Sequence, residues 1–280
     1  MFAILGLMGL TLAAFVMTDA DDEAETEVKS HVDEDDDPSV SITAIDELMD
    51  ISDEDMVIFS GDFDDVVLTG AGADYLHGED GSDRLSSGDG NDTLHGGRGD
   101  DILDGGTGDD DVNGHVGDDV LDGGAGADTL NGGEGDDVLM GGAGNDALLG
   151  SLGDDVLVGG AGADALHGGS GNDVLFDRDD ADLDYLNGGA GDDILIGGDG
   201  DNLHGGTGAD TFALMPNNNA IIEDFNTTED LIEITYEGEP PILSTTQGEA
   251  GLMLLADGET VATFIGLTEL DVATVTLIAA

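Results

Sequence analysis

The sequence predicts an all-β protein: a solenoid of short strands stacked coil on coil, closed by a strand-rich C-terminal cap. Three observations carry this. A nine-residue unit repeats without insertion from Ser60 to Phe176. Glycine supplies 48 of the 280 residues. One aliphatic residue recurs at a fixed place in every unit. A fixed internal period decides architecture ahead of any local pattern, because each unit is too small to bury its own apolar face and must stack on its neighbours.

The chain opens on an apolar stretch, MFAILGLMGLTLAAFVM. Its 17 residues lie at the lower limit for crossing a bilayer. No Lys or Arg precedes them, as the basic start of a secretory leader would require. Residues 1–18 are therefore read as a membrane anchor or an atypical signal peptide, with a mis-assigned start as a third reading. Residues 19–39 form an acidic linker: between 19 and 37 there are eleven acids and a single Lys. Like charges at that density stay solvated. Residues 40–59 regain apolar side chains and are expected to cap the N-terminal end of the repeats. Ile45, Leu48 and Met49 have helical spacing, and Val57, Ile58 and Phe59 begin a strand.

The array occupies 60–213. Thirteen copies run from 60 to 176, among them GGAGADTLN (123–131), GGEGDDVLM (132–140) and GGSGNDVLF (168–176). Asp177 and Arg178 break the phase, and a degenerate copy, DDADLDYLN, fills 179–187. A regular copy, GGAGDDILI, occupies 188–196. GGDGDNLH (197–204) is one residue short, so Asn202 puts an amide where Asp is expected, and GGTGADTFA (205–213) closes the array.

Position eight is Val or Leu in all thirteen continuous copies. Strand alternation sends it to one face and positions seven and nine to the other. Position eight is therefore the core, and the mixed residues at seven and nine are the solvated face. The glycines imply a turn, followed by a short strand. One buried Leu or Val per nine residues cannot offset the entropy of ordering all nine, so another cohesive force is required.

Position six supplies it. It is Asp in all thirteen copies, starting at Asp65. If two nonapeptides make one coil, carboxylates 18 residues apart stack at about 4.8 Å and repel, unless cations lie between them. Carboxylates and turn carbonyls are hard oxygen donors, which select Ca²⁺ over soft metals. Its flexible six- to eight-fold coordination suits such a set better than the strict octahedron of Mg²⁺. The expected ligands on one edge are Asp83, Asp101, Asp119, Asp137, Asp155 and Asp173, and on the other Asp74, Asp92, Asp110, Asp128, Asp146 and Asp164. Asp193 and Asp210 hold position six in the later copies. Asp65 heads the first of these columns, in a turn weakened by Phe63 at the fourth-position glycine.

The unit GGxGxDxUx resembles the RTX, or haemolysin-type, calcium-binding nonapeptide. The resemblance covers 60–213, over half the chain. It implies a parallel β-roll, a form of β-solenoid, with Ca²⁺ held between coils by the position-six Asp and turn carbonyls. It also implies type I secretion from a Gram-negative bacterium. Glu79, His115 and Ser151 depart from the pattern at the second glycine, and Asp182 takes position four of the broken copy.

Residues 214–280 alternate like strands in IIEDFNTTEDLIEI (221–234) and LLADGETVATFIGL (254–267), with Asp257-Gly258 as a hairpin turn. They resemble the strand-rich cap at the end of RTX arrays, whose extreme C-terminus carries an uncleaved export signal. Asp224 and Asp230 are read as turn residues.

The composition excludes several functions. With four Lys and Arg against 66 acids, the formal net charge is −62. Nucleic acid is not a partner, since phosphate binding needs clustered cations, and docking on anionic lipid headgroups fails likewise. There is no Cys, hence no disulfide or thiol chemistry. No HExxH, GxSxG, Walker or EF-hand pattern occurs, so no enzyme is expected. His77, His95 and His167 share position nine, and a solvated face is preferred there to a zinc site. The position-five acids Asp64, Asp100, Asp109, Asp118, Asp136 and Asp154 are taken to set the negative field around the turns.

The expected function is structural: a secreted or surface-displayed protein, folded by extracellular Ca²⁺. Its expected partners are calcium ions, a cell-surface or matrix polymer, the secretion apparatus, and a membrane through residues 1–17. The alternatives are the secretion and folding module of an exported effector, and an enzyme with catalysis in the C-terminal region.

Overall fold

The computed structural model describes residues 40–43, 47–49, 55–178, 182–216 and 218–279. The apolar stretch 1–17 and the acidic linker 19–39 lie outside them. Among the described residues there is no α-helix, only one 3₁₀ turn at Val272–Thr274, and no helix long and apolar enough to cross a membrane. The chain forms two compact units that divide between Gly135 and Asp136.

The first unit is a β-solenoid with two parallel sheets. One contains Val40–Thr43, Met56–Gly61, Tyr75–Asp80, Thr93–Arg98, Asp111–Val116 and Thr129–Glu134. The other contains Glu47–Met49, Val66–Leu68, Arg84–Asp89, Ile102–Thr107 and Val120–Ala125. Neighbouring strands are offset by 18 residues: Leu94 lies beside Val112 and Leu103 beside Leu121. Two nonapeptides thus make one coil. Position eight is the core, with Leu76, Leu85, Leu94, Leu103, Val112, Leu121 and Leu130 buried from both sheets.

Two expectations need correction. The short strand expected in each copy does not stop at position nine: most strands of the array are six residues long, because they continue through the glycine pair of the next copy, as in Thr93–Arg98. Position one then faces inward and must be small. A methyl group built on Gly96 would overlap the Asp101 carboxylate and lie 2.9 Å from the Gly114 carbonyl oxygen. The second correction concerns 40–59. Leu48 and Met49 belong to the strand Glu47–Met49, which pairs in parallel with Val66–Leu68; Ile45 lies outside the described residues. Apolar positions in so short a segment fit either period, and the exposed edge of the first coil selects the strand.

The second glycine of the unit takes a left-handed backbone, and so do the residues that replace it: Glu79 at φ 78°, His115 at 79° and Ser151 at 85°. Side chains with a Cβ are disfavoured there. Glu79→Gly is expected to raise stability by about 1 kcal/mol, read as a higher thermal midpoint in saturating Ca²⁺; an unchanged or lower midpoint would contradict the strain.

The second unit repeats the architecture. One parallel sheet holds Val138–Ala143, Val156–Ala161, Val174–Asp177, Ile194–Gly197, Thr211–Leu214, Leu231–Tyr236 and Thr276–Ala279. The other runs Ala147–Leu152, Ala165–Ser170, Tyr185–Ala190, Asn202–Thr207, Ala220–Ile222 and Glu259–Phe264. To it Leu252–Ala256 and Leu243–Gln247 add antiparallel. The coil therefore continues into the tail, where Glu259–Phe264 and Thr276–Ala279 still pair in parallel, and the hairpin at Asp257-Gly258 adds the antiparallel strands to one sheet. Phe225 meets Phe212 at a tilt and Phe264 edge-on, with ring centres 5.8 and 5.2 Å apart, filling the core of this last coil, where a repeat array needs a cap.

Candidate metal centre

Position six sits between the turn and the strand, and its side chain points inward beside the core Leu of its own copy. All fourteen aspartates expected as ligands are buried, at 0–3 % exposure. They form ladders within each unit. In the first, the Asp83 N–H donates to Asp101 Oδ1 at 2.7 Å, and the Asp101 N–H to Asp119 Oδ1 at 2.8 Å. On the opposite edge the Asp74 N–H donates to Asp92 and the Asp92 N–H to Asp110, at 2.7 and 2.8 Å. In the second unit the ladder through Asp137, Asp155, Asp173, Asp193 and Asp210 has the same form, as does that of Asp146 and Asp164.

Each Oδ1 is thereby used, and the second oxygen is left over. In Asp83, Asp101, Asp110, Asp155, Asp173 and Asp193, Oδ2 is buried with no hydrogen-bond partner. It lies against the position-one glycine of its own copy. For Asp83, Asp101, Asp110, Asp155 and Asp173 the position-one carbonyl of the next coil reaches the same glycine: Gly96, Gly114, Gly123, Gly168 and Gly188 respectively. Two acceptors thus converge where no donor is present, an arrangement that costs free energy unless a cation or proton enters. Burial raises these carboxyls accordingly: Asp101 and Asp173 to about 7, and Asp110, Asp119 and Asp193 to about 6, with neighbouring aspartates adding to the effect.

Residues 59–94, 86–121, 113–148, 140–175 and 179–212 match the family described as the RTX calcium-binding nonapeptide repeat. The chain belongs to the RTX calcium-binding repeat family. No curated protein matches it. Among solved structures it is similar to the extracellular lipase LipA from Serratia marcescens, at 20 % identity and a TM-score of 0.23, over 80 % of this chain and 40 % of that one. The chain thus spans less than half the length of that relative.

RTX repeats bind Ca²⁺, and the donor set fits it. Hard oxygens from carboxylates and main-chain carbonyls are the ligands this ion takes. The residues that would hold it are the position-six aspartates, through Oδ2, with the position-one carbonyls. The ion would supply charge neutralisation and cross-linking between coils.

Four further aspartates belong to the ladders, beyond the fourteen expected as ligands. Asp65 donates through its N–H to Asp83 Oδ1 at 2.8 Å, despite the exposed Phe63 in its turn. The degenerate copy contributes Asp184, whose Oδ1 accepts from the Asp164 N–H at 2.9 Å. The short copy contributes Asp201, which accepts from the Asp184 N–H at 3.1 Å. Asn202, expected at position six, instead begins the strand Asn202–Thr207, opposite Tyr185; the missing residue is taken from the turn so that Leu203 stays in the core beside Leu186. Asp230 prolongs one ladder past the array, accepting from the Asp210 N–H at 3.1 Å. Asp177 stands in register with Gly197. It lies buried among Asp164 and Asp184, the three carboxylates offering oxygens within 4.8 Å of one another.

The position-five acids set the negative field as expected, Asp100, Asp109, Asp118 and Asp154 among them helping to raise the inward carboxyls, and they have a second task. Asp64, Asp100, Asp109, Asp136 and Asp154 each accept a backbone N–H from the following coil, for example Ser82 N–H to Asp64 at 2.9 Å. They stitch the outer rim of the turns. Asp224 receives the N–H groups of Gly205 and Gly206 at 3.0 and 2.7 Å, closing the last turn.

Proposed function

We propose that this chain is a calcium-folded structural protein, exported unfolded and set into a rigid solenoid on reaching millimolar Ca²⁺ outside the cell, where it is displayed on the surface or in a matrix. The observation that carries the reading is the ladders of inward carboxylates in each unit, in which the Oδ2 atoms of Asp83, Asp101, Asp110, Asp155, Asp173 and Asp193 are buried without a hydrogen-bond partner. The sequence has four Lys and Arg in total, so the compensating charge has to come from solution. Extracellular Ca²⁺ sites work at about 10⁻⁴–10⁻³ M, a range that keeps the chain unfolded in a cytosol and folds it outside. The role is structural rather than catalytic, and the tail serves as cap and export signal.

Two measurements test this. In the first unit the four aspartates of each edge (Asp65, Asp83, Asp101, Asp119; Asp74, Asp92, Asp110, Asp128) leave three gaps, six in all. Calorimetry on the whole chain is expected to find at least those six ions, and two or three per chain would overturn the stacked ladders as binding sites. Fractionation of the source cells is expected to find the chain outside the inner membrane; recovery in the cytosol alone would overturn the extracellular role.

A further inference from the structure

The outer face of the first unit carries a cluster of rings that the ladders do not use. His77 and His95 both occupy position nine and lie side by side on Tyr75–Asp80 and Thr93–Arg98, with ring centres 5.5 Å apart. His115 arrives by another route. It replaces the second glycine of its copy, on Asp111–Val116, and keeps the left-handed backbone of that position, φ 79°. Its Nε2 lies 3.0 Å from His95 Nδ1, with ring centres 5.1 Å apart. Strain held in place by the surrounding fold is a pointer to function. Here it puts two imidazole nitrogens at contact distance.

The rest of the cluster organises this pair. The His77 Nδ1 accepts the Glu79 N–H at 3.0 Å, which places the proton of its neutral ring on Nε2. His77 therefore packs against the pair without offering a lone pair. Tyr75 flanks His95 at 5.4 Å. Asn113 stands in register opposite His95, and its Oδ1 is buried with no hydrogen-bond partner.

We propose that His95 Nδ1 and His115 Nε2, with the side-chain oxygen of Asn113 beside them, form a binding site for a divalent transition cation of the zinc class. Imidazole nitrogen selects such ions over Ca²⁺, so this site is chemically separate from the carboxylate ladders. Two nitrogens bound at about 2.0–2.1 Å to a tetrahedral Zn²⁺ lie roughly 3.3 Å apart, within a few tenths of the separation already present. Asn113 and water would complete the shell. The competing use of the same geometry is a plain hydrogen bond between two neutral rings.

The test uses the full chain in saturating Ca²⁺, so that the ladders are filled, and ZnCl₂ as titrant, followed by calorimetry. Co²⁺ absorption in the visible serves as an independent signature of nitrogen ligation. The expected result is one Zn²⁺ per chain. His115→Gly installs the residue that this position carries in neighbouring copies, so the fold is not put at risk. It is expected to weaken Zn²⁺ binding at least tenfold and abolish the Co²⁺ signal, with the circular dichroism in Ca²⁺ unchanged. His167→Asn, a position-nine substitution in the other unit, is expected to change neither. No Zn²⁺ uptake by the native chain would reduce the pair to a hydrogen bond and overturn the proposal. Undiminished uptake by His115→Gly would place the ion on the acidic surface, and overturn it equally.

Discussion

In excess chelator at pH 7.5, residues 60–213 are expected to give the circular dichroism of a disordered chain, and to convert to a β spectrum as Ca²⁺ reaches the millimolar range. The electrostatics demand it. A formal charge of −62 opposes any compact state, and the ladders concentrate that charge in places shielded from water. Binding free energy then appears as folding free energy. The same geometry predicts how protons act when Ca²⁺ is absent. Asp101 and Asp173 are raised to about 7, and Asp110, Asp119 and Asp193 to about 6, from an ordinary 3.8, chiefly by burial. An acid whose pKa is higher folded than unfolded binds its proton more tightly in the fold. Its stabilising contribution is complete below about pH 4 and disappears as the pH rises through 6 and 7. Acidifying the chelated chain from pH 7.5 to 5 is therefore expected to recover part of the β spectrum. A β spectrum that persists in chelator at pH 7.5 would remove the need for a cation. A chelated chain indifferent to pH between 7.5 and 5 would show that the inward carboxyls are not what holds it open.

Much of this arrangement is legible in the primary structure, because a fixed period turns single residues into columns. Leu94, Leu103 and Val112 are assigned to the core by alternation alone, and the structure buries all three. The inward placement of the position-six carboxylates comes from the same phase. What escapes is whatever keeps its place in space while changing its place in sequence. The ladder steps from Asp164 to Asp184 over 20 residues and from Asp184 to Asp201 over 17, since insertions and deletions are absorbed in turns while Leu186 and Leu203 hold the core register. His115 escapes for a related reason. It stands at position two, yet its left-handed backbone brings its ring to a position-nine neighbour, His95. The strand length is hidden because paired glycines are a weak strand signal; they are required here since the Asp of the same copy folds over the first of them.

Asp101→Asn and Leu103→Ala, two residues apart in one copy, separate the metal ladder from the core. The Asp101 Oδ1 accepts the Asp83 N–H, and Asn retains that acceptor. What changes is Oδ2, which becomes an amide nitrogen facing the Gly114 carbonyl. A donor now meets an acceptor, so the metal-free chain is hurt little, but one anionic ligand is lost and the coils on either side need more Ca²⁺ to close. The expected effect is a shift of the folding midpoint to higher Ca²⁺ that fades as Ca²⁺ is raised, because mass action refills weakened sites. Leu103 is buried between the sheets, and its neighbours are locked at strand spacing and cannot collapse onto a void. Its truncation is expected to cost about 2–5 kcal/mol, and the loss should persist at saturating Ca²⁺, since no amount of ligand fills a cavity. Calcium titrations and thermal melts at low and saturating Ca²⁺ distinguish the two. Rescue of both variants by Ca²⁺, or of neither, would mean that positions six and eight do not divide the work of metal binding and core packing as their burial and hydrogen bonding indicate. In a coil whose contacts reach only its neighbours, each defect should also remain local, so melting is expected to broaden rather than shift as a single unit.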